Sequence, residues 1–466
     1  MTFFKKKFNH LLIVLLCAGF ASNGLYAAGT MRNMTSMEIV SDMKVGWNLG
    51  NTLDAYSSLA TGLNTETCWG NPKTTKAMID AVKAKGFKTV RIPVTWNNHF
   101  GASPAYTIDS IWLNRVQDVV DYAIDDSMYV ILNSHHDEWV TLTSSTQTEV
   151  TKKLTAIWAQ IADRFKNYSD YLVFETLNEP RLYGDATEWT GGTSDARTIL
   201  NAYNLAVVNT IRNSGGNNSL RHIMIPTHGA SPLADALNGL VIPNSDSRVI
   251  VSIHDYWTYY FAMDTAKATS TDKWGTAADK AACDAELDRI YKKFVKNNIP
   301  VIIGEWGTVN KSNTSARAVH AGYYANGIRE RGMLPVWWDN GVSTGYGAFG
   351  ILNRKSCTWD FPEIVDSLIK GVQDASPVVK TNRKKDVAGG LVVSSGFAEY
   401  SLAKASDVSL DLYDMQGKNV AHIVKAYQSA GAHKIKLPVS GIASGNYILE
   451  FRSNNVSFTK KIYMPR

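Results

Sequence analysis

The 466-residue sequence has little cysteine, little net charge and almost no long apolar runs. Four cysteines, Cys17, Cys68, Cys283 and Cys357, are too few for a disulfide scaffold. Cys17 falls in the leader described below, so the other three allow one pairing at most. The basic excess is +6, and +3 once Lys5, Lys6 and Lys7 are set aside. So mild a balance argues against nucleic acid as a partner. Beyond the leader, no stretch reaches the roughly 18 apolar residues that a membrane helix needs, so no transmembrane segment is expected. No glycine-rich phosphate loop follows the first strand-like run, because Gly46-Trp-Asn-Leu-Gly50 lacks the spacing. Internal repeats and low-complexity tracts are absent too.

What the chain has in plenty is aromatics, with 13 Trp and 21 Tyr. Most of these fill cores, but exposed rings also stack on the C–H faces of sugars. At the start, Lys5-Lys6-Lys7 precede the apolar run Leu11–Phe20, and small residues surround Tyr26-Ala27-Ala28. This is the pattern of a secretory signal peptide over residues 1–28. Leu16, just before Cys17, is too large for a lipoprotein cleavage site, so removal near Ala27 or Ala28 is expected, with no lipid anchor.

From Met43 to Gly371, β-rich runs alternate with segments of helical period. The strands read as Val45–Leu49, Thr89–Pro93, Tyr129–Asn133, Tyr171–Glu175, His222–Pro226, Val249–His254, Pro300–Glu305 and Leu334–Trp338. Helical stretches follow each of them, several ending at a stop signal such as Gly86, Asn213 or Gly332. Eight such units have the count and size of an α/β fold, the (β/α)8 TIM barrel, over residues 29–372. A doubly wound open sheet is the competitor, and the missing phosphate loop counts against it. Residues 373–390 are polar, basic and punctuated by Pro and Gly, as a linker is. From Leu391 the pattern is short alternating strands, a small all-β sandwich over 391–466.

Two of the apolar runs end in glutamates. One is Phe174-Glu175-Thr176-Leu177-Asn178-Glu179-Pro180; the other is Ile303-Gly304-Glu305-Trp306-Gly307. Strand C-termini open onto the active face of a barrel. Two carboxyl groups in one pocket are the equipment for cleaving a glycosidic bond. Helix capping or a surface ion pair would explain either glutamate alone, but is less apt for both. The acid must hold a proton and the nucleophile must be ionised. Glu179, flanked by Asn178 and Pro180, is read as acid/base. Glu305, between glycines expected to let substrate approach closely, is read as nucleophile. Glu175 is an alternative acid, but it lies within its strand and is expected to serve Arg91 or a neighbouring strand. Arg91 could orient a carboxylate or form a structural ion pair. His135 and His136 lack a partner set at metal-ligand spacing, so hydrogen bonding is favoured over metal. His254-Asp255-Tyr256-Trp257 could position the nucleophile and stack a sugar. Of Trp337 and Trp338, one should face the pocket and the other the barrel wall.

Thr89-Val-Arg91-Ile-Pro-Val, Ser134-His135-His136, Leu177-Asn178-Glu179-Pro180, Ile253-His254-Asp255-Tyr256 and Ile303-Gly304-Glu305-Trp306-Gly307 together resemble glycoside hydrolase family 5. Glu66-Thr67-Cys68-Trp69-Gly70-Asn71 and Trp338-Asp339-Asn340 are similar to its subfamily 4 endoglucanases. The resemblance implies retaining double displacement on β-1,4-glucans, with Glu179 as acid/base, Glu305 as nucleophile, and no metal or organic cofactor. It also implies Arg91, His135, His136, Asn178, His254, Tyr256 and Trp338 as the supporting shell, with Asn51 and Trp69 as further substrate-binding candidates. Trp69, Trp139, Trp257 and Trp338 are candidates to line an open cleft. Xyloglucanase, mixed-linkage glucanase and mannanase activities share this mechanism and stay open. A non-catalytic glycan-binding surface protein is the rival of another class.

The tail residues Leu412-Tyr-Asp-Met-Gln-Gly417-Lys, Ser444-Gly445-Asn-Tyr447 and Lys460-Lys461-Ile-Tyr463 resemble the C-terminal sorting domain of type IX secretion. That implies a protein secreted, or held on the outer surface, by a Gram-negative bacterium. A carbohydrate-binding module is the alternative, but the tail has no Trp to build a sugar platform. A monomer is expected.

Overall fold

The computed structural model describes residues 29–376, 391–394, 397–402, 405–438, 442–453 and 456–464. The signal-peptide segment and residues 377–390 of the linker lie outside the described residues. Two compact units divide the chain, Met1–Val378 and Val379–Arg466.

In the first unit, eight parallel strands close into a barrel in chain order. They are β1 (Gly46–Asn48), β2 (Thr89–Ile92), β3 (Tyr129–Asn133), β4 (Leu172–Glu175), β5 (Ile223–Pro226), β6 (Val249–His254), β7 (Val301–Trp306) and β8 (Leu334–Trp337). Every residue in them is buried, which is why they read as apolar runs without alternation. Among the described residues, ten α-helices accompany them. These are α1 (Ser36–Asp42), α2 (Lys76–Ala84), α3 (Ser110–Asp125), α4 (Gln147–Phe165), α5 (Ser194–Asn213), α6 (Ala234–Gly239), α7 (Tyr259–Ala262), α8 (Ala277–Lys293), α9 (Thr314–Glu330) and α10 (Pro362–Asp374). Gly86 and Gly332, read as stop signals, take φ of 108° and 73° just beyond α2 and α9.

Sequence reasoning missed α1, because seven residues are too few to show a period. Its start is set by a capping box of Thr35 and Glu38. Ile39, Val40 and Met43 at its end pack against Ile131, Val173, Met224, Ile250, Ile302, Leu334 and Val336, so α1 plugs the barrel's N-terminal mouth. Also missed was the short hairpin β9 (Leu352–Asn353) and β10 (Thr358–Trp359), whose Trp359 stacks on Phe87.

Toward the other mouth, the interior becomes polar. Arg91 donates from Nε to Glu175 Oε2 at 2.7 Å and from Nη1 to Asn48 Oδ1 at 3.0 Å. Ser252 Oγ and Asn133 Nδ2 also donate to Glu175, at 2.6 and 3.1 Å. This layer is fully out of water, so each charge is tolerated only because it is paired and hydrogen-bonded.

The second unit consists of two antiparallel sheets. One holds β11 (Val392–Ser394), β12 (Phe397–Leu402) and β15 (Gly431–Lys436), in the order β11-β12-β15. The other holds β13 (Ser406–Tyr413), β14 (Asn419–Gln428), β16 (Gly445–Ser453) and β17 (Val456–Met464), in the order β14-β13-β16-β17. Tyr400, Leu410, Leu412, Leu449 and Phe451 form its core. Asp414 Oδ1 accepts from the backbone N–H groups of Gln416 and Lys418, and Gly417 supplies φ of 85°, so the chain turns between β13 and β14.

Candidate active site

Glu179 lies four residues past β4, and Glu305 lies on β7. A register shift in β7 lets His254 pair with Glu305 across the β6–β7 ladder. Such a bulge turns a side chain toward the mouth. One oxygen of Glu179, one of Glu305 and a ring nitrogen of His254 lie within 4.8 Å of one another.

Glu305 accepts from Arg91 Nη1 at 2.8 Å and from the Tyr256 hydroxyl at 2.9 Å. Arg91 uses its remaining edge on Asn178, Nη2 to Oδ1 at 2.7 Å. One guanidinium thus fixes Glu175, Glu305 and Asn178 together. Glu179 meets His254 Nδ1 at 2.8 Å and Arg181 at 3.6 Å. The same His254 nitrogen is 3.5 Å from Glu305.

Two carboxyl groups this close cannot ionise independently. Burial raises both, but His254 outweighs it at Glu179, with help from Arg181, and holds that carboxyl below its usual range. Burial, reinforced by the charge of Glu179, pushes Glu305 up against the opposing pull of His254, Arg91 and Tyr256. The two carboxyls thus sit in unequal surroundings and share their protons as a pair. The inequality comes from the His254 contact with Glu179, which no sequence pattern locates.

His135 is hydrogen-bonded to Asn133 at 3.0 Å, and its ring lies parallel to Trp338 with centroids 5.8 Å apart. Burial, reinforced by the nearby Arg91 guanidinium, drives its pKa far down. His136 sits farther out, against Tyr56 and Trp69. Trp337 points into the wall and donates to Phe349 O, so the two tryptophans divide as expected. Trp139 is engaged by Phe100 and Lys153. Asn51 belongs to the rim through its backbone, with its N–H donating to Asp54 and its carbonyl accepting from Asn71.

One expectation fails. The glycines flanking Glu305 do not open the way to substrate. A Cβ at Gly304 would meet Ser252 and His254 at 3.3–3.4 Å, and one at Gly307 would touch Phe349 and Trp337 at 3.4 Å. They make room for the barrel's own side chains beside the bulge.

Asp54, His135 and His136 also converge. Asp54, however, accepts from the backbone of Asn51 and Thr52, and His135 Nδ1 is taken by Asn133. These donors are committed to protein hydrogen bonds and do not make a metal site. Cys68, Cys283 and Cys357 are all free. Sequence reasoning overlooked Asn48, Asn133 and Ser252. A lone polar residue inside an apolar parallel strand was the available signal.

The family model described as cellulase, glycosyl hydrolase family 5, matches residues 53–344. A second, the secretion system C-terminal sorting domain, matches residues 394–464. Endoglucanase B of Clostridium cellulovorans is 52% identical over 344 residues, covering 73% of this chain and 77% of that protein. A solved subfamily 4 broad-specificity endoglucanase from Clostridium acetobutylicum is 55% identical, covering 72% of this chain and 100% of that one, with a TM-score of 0.69. A broad-specificity endoglucanase from Ruminococcus champanellensis, solved with bound cellotriose, is 43% identical, covering 73% of this chain and 100% of that one, with a TM-score of 0.71.

Proposed function

The chain belongs to glycosyl hydrolase family 5, and from that premise we propose that it cleaves internal β-1,4-glucosidic bonds with Glu305 as nucleophile and Glu179 as acid/base. It is a glycoside hydrolase, an endo-β-1,4-glucanase. The observation that carries the mechanism is the carboxyl separation, within 4.8 Å between oxygens. That is close to the roughly 5–5.5 Å of retaining enzymes and short of the roughly 6.5–9.5 Å that leaves room for an attacking water.

A Glu305 oxygen attacks the anomeric carbon while the bond from that carbon to the leaving oxygen breaks. Glu179 gives its proton to that oxygen, and the sugar stays esterified to Glu305. Water then gives a proton to Glu179 and attacks the same carbon, releasing the Glu305 carboxylate. For this, Glu179 must carry the proton when the bond breaks. His254 Nδ1, 2.8 Å from Glu179 and 3.5 Å from Glu305, lies between the two carboxyls and orients Glu179. Arg91 and Tyr256 stay fixed on Glu305 and stabilise it as the attacking anion. Trp338, parallel to His135, offers the flat face on which the sugar rests.

Xyloglucan and mixed-linkage glucan are read as further substrates, supported by the broad specificity of the similar endoglucanases from Clostridium acetobutylicum and Ruminococcus champanellensis. A glycan-binding protein without turnover has no use for two opposed buried carboxyls. The match to a secretion sorting domain over residues 394–464 supports secretion of this chain. We infer type IX secretion machinery as the carrier, a Gram-negative host, and release or attachment at the outer surface. Proton NMR of cellotetraose hydrolysis tests the mechanism: the β-anomer forms first if it holds, and an initial α-anomer rules it out.

A further inference from the structure

Just past Glu179 and Pro180, Arg181 folds back over the turn. Its Nη1 donates to the backbone carbonyl of Glu179 at 3.0 Å and lies 3.6 Å from Glu179 Oε2. Nε donates to Glu188 at 3.0 Å, and the other Glu188 oxygen accepts from the Gly184 N–H at 2.8 Å. The guanidinium is sandwiched between Tyr183, 4.3 Å from its ring centre, and Trp189, at 4.4 Å. Those rings are 46% and 55% exposed. Nε and Nη1 are both hydrogen-bonded and two rings lie against the guanidinium, so this cation is preorganised beside Glu179. If it only closed the loop, the Glu188 contact would suffice, and nothing would require the second aromatic ring or the approach to Glu179.

We propose that Arg181, clamped between Tyr183 and Trp189, is a positioning residue that strengthens Glu179 as an acid toward poor leaving groups. The inference rests on the reading of Glu179 as acid/base. As Glu179 passes its proton to the leaving oxygen, a carboxylate develops, and the fixed cation stabilises it without reorganising. Other groups also face Glu179. His254 comes from β6, Tyr256 from just past it, Glu305 from β7, and His136 from beyond β3; Tyr183 and Glu188 belong to its own loop. Of these, Arg181 is the cation whose charge no change of pH in the working range removes.

The test compares wild type, Arg181→Gln, Arg181→Lys and Glu179→Ala on 2,4-dinitrophenyl β-cellobioside, whose leaving group needs no proton, and on phenyl β-cellobioside, whose leaving group does. Arg181→Gln should lose roughly 3- to 10-fold in kcat/KM on the phenyl substrate and less than about 2-fold on the activated one. Its alkaline pH limb should move up by roughly half a unit to one unit, because Glu179 becomes a weaker acid. Arg181→Lys should restore that limb. Arg181→Met, which keeps a stem between the rings, gives the same reading if the glutamine variant does not fold. Equal losses on both substrates, or an unmoved limb, overturn the proposal while Glu179→Ala still discriminates between them. If Glu179→Ala fails to discriminate, the acid/base reading itself falls.

Discussion

In the barrel unit, Arg91, Glu175 and Glu305 are held out of water inside a closed ring of parallel strands. In the tail unit, two open antiparallel sheets bury Leu410, Leu412, Leu449 and Phe451, and Lys434 pairs with Glu399 at the surface. The barrel accepts the desolvation of several charges, whose pairing recovers part of that cost and seldom all of it. In the tail, the buried Asp411 carboxylate pairs with His422, and stability comes mainly from apolar burial. Buried charge alone does not mark chemistry, since Arg221 and the Arg115–Glu66 pair are buried elsewhere in the barrel; what marks the site is Glu179 and Glu305 converging on His254.

Four substitutions can break or sharpen that contrast. The largest effect is expected from Glu305→Ala, with kcat lower by on the order of 10⁴-fold or more on soluble cellulose and Tm held or raised, since a buried carboxyl is removed. Unchanged hydrolysis would remove Glu305 from the reaction. Arg91→Met should cost both properties, with kcat down by on the order of 10²–10³ and stability down by about 3–5 kcal/mol as Glu175 and Glu305 lose their shared cation. Denaturant melts and kinetics on one preparation would check this, and loss of activity with intact stability would contradict it. Leu412→Ala in the tail should lower the tail's own unfolding free energy by about 2–5 kcal/mol and leave kcat unchanged. A fall in kcat would show that the tail contributes to turnover.

The smallest effect concerns Asp255. Burial and the charge of Glu286 raise its pKa to about 7, against the opposing Tyr324 hydrogen bond and Arg289. A carboxyl whose folded pKa is raised adds stability that is full below its unfolded pKa, near 3.8, and is lost as pH rises through about 7. Asp255→Asn should therefore flatten the decline in Tm between about pH 4 and pH 8. An identical slope in the two proteins would show that Asp255 does not titrate in that window.

Much of this was legible in the residues because parallel barrel strands are short, wholly apolar runs with polar residues only at their ends. Glu179, Glu305, Arg91 and His254 stood out on that ground. Asn48, Asn133 and Ser252 did not, because an uncharged polar side chain inside a strand signals no partner until the barrel closes around it. Nor could sequence show that His254 leans toward Glu179, since the contact depends on the β7 bulge. In the tail, the strongly alternating β13 and β16 were readable. The strand β14 was not, because its largely exposed residues obey no simple alternation.

The pairing of Glu179 with Glu305 is tested most directly by trapping the intermediate. The protein is inactivated with 2,4-dinitrophenyl 2-deoxy-2-fluoro-β-cellobioside, digested, and the labelled peptide sequenced by mass spectrometry. A single label on Glu305 is the expected result. A label on Glu179 or Glu175, or turnover of the reagent with no label at all, would contradict it.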